Sequence, residues 1–412
     1  MHSRPCWVEI DTLALEANLR LLARLARRGC LPEQALLAIV KADAYGHSLA
    51  VCAPAAVCAG AGWLGVTSVE EAVATRRALA GAEAEILVLS GPFPGEGAAV
   101  VEHGLTCSVW NARQLDELAR AAVGRAAKAI PVHLEMDTGM SRQGVSGDGL
   151  DAVLAPLKES PALRLDGVMT HLYAAEESDR LATERQIARL EGALVRVRRA
   201  GFAPPWLNVG NSAALLDATT RNALVALAGA AGMRLLLRPG LAMYGVAPEF
   251  SPARSGEIAS LSAGLKPVLS WKTRITSLSH IPAGETVGYN GSFRAERATR
   301  LALLAAGYAD GLKRQLSDCG HVLVAGHRAA FAGRISMDQA VVDVTEIPEE
   351  LVAAGDEVVL LGTQGEVSVT AADHARWAGT IPWEIFTSIG ARVERRRLQG
   401  SSDPALLPSL GG

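Results

Sequence analysis

The sequence predicts an α/β protein built as a (β/α)8 TIM-like barrel with a C-terminal all-β domain. Two observations carry this. Eight short apolar runs, 36–40, 64–67, 86–89, 106–109, 130–136, 165–169, 206–209 and 235–237, alternate with segments of helical spacing such as 70–79, 112–122 and 179–200. Strands that apolar are covered on their outer face, as parallel barrel strands are by their helices. Beyond about residue 245 the helical spacing nearly vanishes, and the segments 268–278, 301–306, 321–325, 340–344 and 357–361 follow one another with turn residues between. The barrel therefore takes residues 11–245 and the β-rich domain 246–395, with the opening strand 5–10 joined to the latter because it precedes the first barrel helix. The Gly, Ser and Pro of 396–412 predict a disordered tail, and the arginine run that leads into it reads as a solvated surface.

Composition limits the function. The 412 residues carry 40 basic and 43 acidic side chains, a net charge of −3, so neither nucleic acid nor an anionic membrane is an expected partner. Apolar residues make up 49% and aromatics 4%, which describes an Ala/Leu/Val-rich core rather than a disordered chain. Six cysteines do not form a disulfide scaffold. Cys52 and Cys58 lack a histidine-and-cysteine cluster, so they read as buried structural thiols and no metal site is expected. Residues 48–69 are uncharged and long enough to cross a bilayer. Pro54, Gly60, Gly62 and Gly65 break the run into a helical piece and a short strand. Glu9 and Asp11 stand where a secretory signal requires an apolar core, which predicts a cytoplasmic protein.

In such a barrel the loops after the strand C-termini form the active face. The residues there are Lys41 after the first barrel strand, Asp137 and Arg142 after the fifth, His171 after the sixth, Asn211 and Ser212 after the seventh and Arg238 after the eighth. Alone, Lys41 would be a lysine reaching out from a rim, His171 a structural histidine and Arg238 an ion-pair partner. Together on one rim they make a site. Desolvation at the end of an apolar strand lowers the pKa of an amine, which prepares it for Schiff-base chemistry.

These residues lie in motifs that resemble the alanine racemase family, the pyridoxal-phosphate enzymes with an N-terminal barrel and a C-terminal β domain. The motifs are Trp7-Val-Glu-Ile-Asp11, Ala38-Ile-Val-Lys-Ala-Asp-Ala-Tyr-Gly-His47, Met136-Asp-Thr-Gly-Met-Ser-Arg142, Thr170-His171, Asn211-Ser-Ala-Ala214 and Arg238-Pro-Gly-Leu-Ala-Met-Tyr-Gly245. Val287-Gly-Tyr-Asn-Gly-Ser-Phe293, Gly307-Tyr-Ala-Asp-Gly311 and Gly333-Arg-Ile-Ser-Met-Asp338 follow in the β-rich part. Each is short; their order along nearly the whole chain makes the resemblance specific.

The resemblance implies that Lys41 binds pyridoxal 5'-phosphate and serves as the base on one face of the substrate α-carbon, with Tyr289 serving the other. A phenol of reference pKa ~10 needs cationic neighbours to act as a base at neutral pH, and His171 and Arg238 are the candidates. Arg238 would face the pyridine nitrogen, where a permanent cation opposes ring protonation and restrains long-lived carbanions. Tyr45, Ser212 and the backbone amides of Gly240 and Leu241 would hold the phosphate, and Trp383 occupies a further phosphate position. Arg142 and the Met337 amide would take the substrate carboxylate, with Asp338 beside them and Asp310 as scaffolding. Tyr289 and Met337 enter the family's site from the other subunit, which implies a homodimer. D-alanine for peptidoglycan precursors is the implied product.

Three positions depart from the family pattern. Glu135 stands where a lysine, often carbamylated, is usual; it is expected to pair with Arg142 and supply the negative charge directly. By strand parity His133, Glu135 and Asp137 share the inner face. Trp383, in Ile381-Pro-Trp-Glu-Ile385, replaces a tyrosine, and an indole donates without accepting, so the phosphate contact should change. Asn290 replaces a common glycine and is expected to be neutral in a left-handed turn. Three other functions remain open: a racemase of serine or another small amino acid, a basic-amino-acid decarboxylase on the same scaffold, and a non-catalytic cofactor-binding protein. Arg238 and Tyr289 argue against the decarboxylase, and the β domain against the last.

Overall fold

The computed structural model describes residues 4–27, 36–123, 128–251 and 256–398. The described residues form two compact units: Leu15–Ala44 with Ser48–Lys266, and the segments up to Ala14, Tyr45–His47 and from Pro267 onward. The first strand, β1 (Cys6–Ile10), belongs to the second unit.

In the first unit, β2 (Leu37–Ile39), β3 (Trp63–Val66), β4 (Glu85–Val88), β5 (Thr106–Val109), β6 (Ile130–Glu135), β7 (Leu163–Met169), β8 (Trp206–Asn208) and β9 (Arg234–Leu236) are parallel and paired in chain order. A parallel bridge between Leu36 and Leu237 joins the two ends, where the Leu37 N–H donates to the Leu237 carbonyl at 2.8 Å. The eight runs of the sequence become these eight strands. Glycine allows close approach inside: a Cβ on Gly65 would lie 2.3 Å from Leu37 Cδ2 and 2.7 Å from Ile39 Cδ1. His133 on β6 meets the rings of the interior, with Trp63 at 5.4 Å, while Trp206 meets Trp63 at 5.8 Å. Arg234 caps the Trp206 ring at 3.9 Å.

The helices follow their caps. Asn111 accepts from the Gln114 N–H to open Ala112–Ala122, whose buried Leu115, Leu118 and Ala122 recur at helical spacing. The uncharged stretch divides into the helix Leu49–Cys58 and β3, and among the described residues no helix is long and apolar enough to cross a membrane. Cys52 is buried, but Cys58, at the last helical position, is exposed, contrary to the expectation of two buried thiols. The unit continues through the helix Glu257–Ala263 to Lys266, past the change of pattern at 245.

The second unit is built on the long strand β10 (Leu269–Ile281). With it stand β11 (Thr286–Val287), β12 (Phe293–Arg294), β13 (Thr299–Leu304), β14 (His321–Val324), β15 (His327–Ala330), β16 (Ala340–Asp343), β17 (Glu357–Gln364), β18 (Val367–Val369) and β19 (Glu394–Arg397). The main sheet runs β15-β14-β17-β10-β1-β19, with β13 on β10 and β16 on β13; β11 and β12 form a separate pair. β1 pairs antiparallel with β10, Val8 opposite Trp271, and parallel with β19, Ile10 opposite Arg397. Val8, Trp271, Leu323 and Val359 are buried in the sheet's core.

Two expectations need correction here. The arginine run is not merely a solvated lead into a tail: Glu394–Arg397 is a strand, and Arg395 donates from Nη1 and Nη2 to the carbonyls of Gly390, Val393 and Ile389 at 2.6 to 2.8 Å. Residues 399–412, the rest of the predicted tail, lie outside the described residues. Helices also persist: Ala371–Ala378 is opened by a capping box between Thr370 and Asp373, and Pro382–Thr387 starts on its proline.

Candidate active site

Lys41 follows β2 directly and is half-buried. Desolvation pushes its amine below the usual lysine pKa; the positive charges of Arg142 and Arg238 add to this, and Glu71 opposes it. The Glu71 carboxylate is engaged elsewhere, accepting from the Ala42 N–H at 2.7 Å and the Thr67 N–H at 2.8 Å. Among the described residues Lys41 has no ion-pair partner, which leaves a nucleophilic amine on the rim.

The backbone after Lys41 turns left-handed. Ala42, Asp43, Ala44 and Tyr45 have φ of 53°, 53°, 55° and 54°. Each such non-glycine residue costs roughly 1–2 kcal/mol. Local bonds offset this: the Ala44 N–H donates to Val40 O at 2.8 Å, and Asp43 Oδ1 accepts from the Leu49 N–H at 2.7 Å.

Beside β2 on the barrel rim, just after β9, Arg238 is buried and anchored by four hydrogen bonds. Nη1 donates to the Asn208 carbonyl at 2.7 Å and to Asn208 Oδ1; Nη2 donates to the Thr170 carbonyl at 2.6 Å and bonds His171 Nδ1 at 3.2 Å. A guanidinium has five donors, so Nε–H remains for a ligand. Burial lowers its pKa to about 10, which still leaves a cation at neutral pH. Burial, then the charges of Arg238, Arg142 and Lys41, push His171 down to about 3. This corrects the expectation of a cationic His171: surrounded by three positive groups, it is neutral.

The buried Gln186 and the half-buried Asp137 secure these loops. Gln186 Nε2 donates to Thr138 Oγ1 at 3.0 Å and His171 O at 2.9 Å, and its Oε1 accepts from the Tyr173 N–H at 3.1 Å. Asp137 Oδ1 accepts from the Gly139 and Ser141 N–H groups at 2.9 and 3.0 Å, shaping the turn that carries Arg142.

Glu135 does not pair with Arg142. Its Oε2 accepts from Gln143 Nε2 at 2.6 Å, and Arg142, exposed at the rim, forms no ion pair with it among the described residues. The carboxyl is buried, which raises its pKa; Gln143 and the charges of Arg238 and Arg142 oppose that. The adjacent amide reaches the carboxylate first, and Arg142 influences it only through space.

At the phosphate candidates, Asn211 Oδ1 caps the short helix Ser212–Leu216 by accepting from the Ala214 N–H at 3.0 Å. Ser212 Oγ accepts from the Gly240 and Ala242 N–H groups at 3.1 and 3.3 Å, so the Gly240 amide is shared with Ser212; Leu241 opens a 3-10 turn beside it. The set of amine, hydroxyl, backbone N–H groups and a spare arginine donor fits an aldehyde-bearing phosphate ester with a ring nitrogen.

Tyr45 and Trp383 come together in the second unit. Burial pushes the Tyr45 phenol up to about 12, and a side-chain hydrogen bond from Trp383 opposes this. The indole donates, so Tyr45 Oη accepts in this contact.

In the same unit Tyr289 begins a short 3-10 turn and is 65% exposed; Met337 is 53% exposed. Asn290 takes φ 62°, as expected of a glycine replacement there. Asp310 is fully buried and accepts from Arg4 Nη2 at 2.8 Å, Arg392 Nε at 2.7 Å and the Gly307 N–H at 2.8 Å. Arg392 Nη2 also pairs with Asp338 at 2.8 Å, and Arg4 reaches the Asp338 carbonyl. Two arginines thus clamp the loop that carries Met337, and the Asp338 carboxylate is engaged as a tether. A Cβ on Gly307 would lie 2.4 Å from the Ser336 and Met337 carbonyls.

Sequence reasoning missed Asn208, Gln143, Gln186 and Glu71. Asn208 had the one usable signal, a polar residue inside the apolar run 206–209.

Residues 10–248 match the family described as alanine racemase, N-terminal domain, and residues 268–397 match alanine racemase, C-terminal domain. The alanine racemase of Symbiobacterium thermophilum is 36% identical over 95% of this chain and 97% of its own. The crystal structure of alanine racemase from Streptomyces lavendulae superposes with a TM-score of 0.84 at 36% identity, covering 97% of this chain and 98% of that one. Alanine racemase from Bartonella henselae, solved with covalently bound pyridoxal phosphate, gives a TM-score of 0.78 at 28% identity, over 96% and 99% of the two chains.

Proposed function

The chain belongs to the alanine racemase family, pyridoxal-phosphate-dependent isomerases that interconvert L- and D-alanine, and on that footing we propose that Lys41 and Tyr289 are its two proton-transfer groups. Membership sets aside the decarboxylase and the non-catalytic readings. Inverting the α-carbon requires a proton to leave one face and another to arrive on the other, and an amine and a phenol on opposite faces meet that need. Bound at this site, pyridoxal phosphate supplies an electron-withdrawing ring conjugated to the substrate amine, which acidifies the α-proton. Lys41, with its pKa lowered and no ion-pair partner among the described residues, is poised both to hold the cofactor and to exchange that proton.

Arg238 offers only donors, so it binds a ring nitrogen as an acceptor and disfavours its protonation. His171 accepts from Arg238 at Nδ1, which leaves its own proton on Nε2. We assign that Nε2–H the task of stabilising the Tyr289 phenolate as a neutral donor. Ser212, Gly240, Leu241 and Tyr45 hold the phosphate, with Trp383 acting through Tyr45; Arg142 and the Met337 amide bind the substrate carboxylate. Tyr289 and Met337, large and exposed, are supplied to the site by a second copy of the chain, which makes the active form a homodimer. We place the enzyme in the cytoplasm, where its free thiols stay reduced, supplying D-alanine to peptidoglycan precursors.

The single observation behind this assignment is the pKa-depressed amine of Lys41, without an ion-pair partner among the described residues, on the rim that holds the Arg238 and His171 pair. Tyr289→Phe should retain the cofactor absorption band and lose about 10²- to 10⁴-fold in racemisation. Wild-type turnover in that variant, or a protein-linked band that persists in Lys41→Ala, overturns it.

A further inference from the structure

Inside the barrel a second histidine, His133, lies beyond the reacting groups. It is fully buried, and burial lowers its pKa to about 4. Asn208 connects it to Arg238. Because a guanidinium has donors only, Asn208 must present Oδ1 to Arg238 Nη1, and its NH2 group then points away. That NH2 nitrogen lies 3.3 Å from His133 Nδ1. The contact is attractive only if Nδ1 is the acceptor, which puts the His133 proton on Nε2.

The ring's seat is specific. Gly167, its partner on the neighbouring strand, leaves the space: a Cβ there would lie 2.7 to 2.8 Å from three ring atoms. His133 Nε2 has no hydrogen-bond partner among the described residues. A buried unmatched N–H is destabilising, and an aliphatic side chain would fill the space without that penalty, so packing alone does not account for an imidazole here.

We propose that His133 is a positioning residue for Arg238. By accepting from Asn208 it fixes the amide with Oδ1 toward the guanidinium, and so holds Arg238 in the orientation that leaves Nε–H for the cofactor. Without an acceptor at 133 the amide is free to rotate and turn its NH2 group against a cation. The proposal rests on the reading of Arg238 as the partner of the cofactor ring.

The test has two parts on the full-length holoenzyme. With ¹⁵N-histidine labelling, and the signal assigned by its loss in His133→Gln, His133 should be neutral at pH 7 with its proton on Nε2. A proton on Nδ1 overturns the proposal, and this measurement needs no altered protein beyond the assignment. Then His133→Leu, which keeps bulk and removes the acceptor, should shift the cofactor absorption band and lower kcat on the order of tenfold, the worth of one lost hydrogen bond. KM for alanine should stay within about twofold, because Arg142 is untouched. His133→Gln, which restores an acceptor, should recover most of the loss. A wild-type band and kcat in His133→Leu overturns the proposal, as does a His133→Gln enzyme no better than the leucine variant; should His133→Leu fail to fold, the tautomer and the His133→Gln band decide. Arg238→Lys separates the two ideas: a wild-type band there removes the reading beneath, whereas an impaired Arg238→Lys beside an unaffected His133→Leu removes only this proposal.

Discussion

Arg238 Nη2 sits 3.2 Å from His171 Nδ1, a contact that makes the imidazole an acceptor on the buried side and a donor on the other. A cationic histidine would turn N–H against N–H there, so the pair itself selects the neutral ring. The same logic runs one step deeper, from Arg238 through Asn208 to His133, so a single permanent cation sets the proton positions of two histidines.

Acid should weaken the fold in a defined window. His171, His133 and His374 titrate near 3, 4 and 4 in the folded chain, through burial first in each case, against about 6.5 when unfolded. Below pH about 6.5 the unfolded chain takes up protons that the native one refuses, so stability is complete above that pH and declines as pH falls toward 4. His374 lies in the second unit and is none of the proposed catalytic groups. His374→Gln should make the fall of the urea midpoint between pH 7 and pH 5 shallower, by at most about 1.4 kcal/mol per pH unit. Identical slopes for the two proteins would remove buried histidine as the cause.

Trp383→Phe deletes the indole donor to Tyr45 while keeping an aromatic ring. Loss of one such bond, about 1 kcal/mol, should raise the dissociation constant for pyridoxal phosphate about three- to tenfold, as measured by reconstituting the apoenzyme. Unchanged cofactor affinity would mean that the Tyr45 hydroxyl needs no help from Trp383.

Glu135→Gln should be mild. The substituted amide still presents an oxygen to Gln143, and a carboxyl whose pKa burial already raises gives up its charge readily. KM for alanine should rise less than about threefold, through the weak field at Arg142. A rise of about a hundredfold would restore the direct pairing of Glu135 with Arg142 that the structure lacks.

Asp310→Asn removes the charge that two arginines share. Breaking a buried pair costs up to about 3–5 kcal/mol, and because Arg4 and Arg392 are partly exposed about 2 kcal/mol is expected here. Thermal unfolding should come several degrees earlier, and KM should rise more than kcat falls as the Met337 loop loosens. A variant with unchanged KM would separate this clamp from substrate binding.

The barrel was legible because its strands are short apolar runs with helical spacing between them, and the rim residues because each ends such a run. The left-handed turn after Lys41 was not, since Ala-Asp-Ala-Tyr contains no glycine or asparagine to announce positive φ. The helix Ala371–Ala378 was missed although Thr370 and Asp373 already spelled its cap. Glu394–Arg397 was missed because four charged residues read as solvated; pairing with β1 decides their backbone, a contact nearly the whole chain length away. The partner of Glu135 was misjudged because charge complementarity alone pointed to Arg142, whereas the next residue's amide had the shorter reach.

Four consecutive residues with left-handed backbone angles stand beside the lysine proposed to anchor the cofactor. For mirror-image residues the same backbone angles are the relaxed ones, so a semisynthetic chain with D-alanine at positions 42 and 44 should fold with less strain than the ribosomal product. An enzyme that interconverts the two hands of alanine thus holds two of its own L-alanine residues, Ala42 and Ala44, at the backbone angles natural to the other hand.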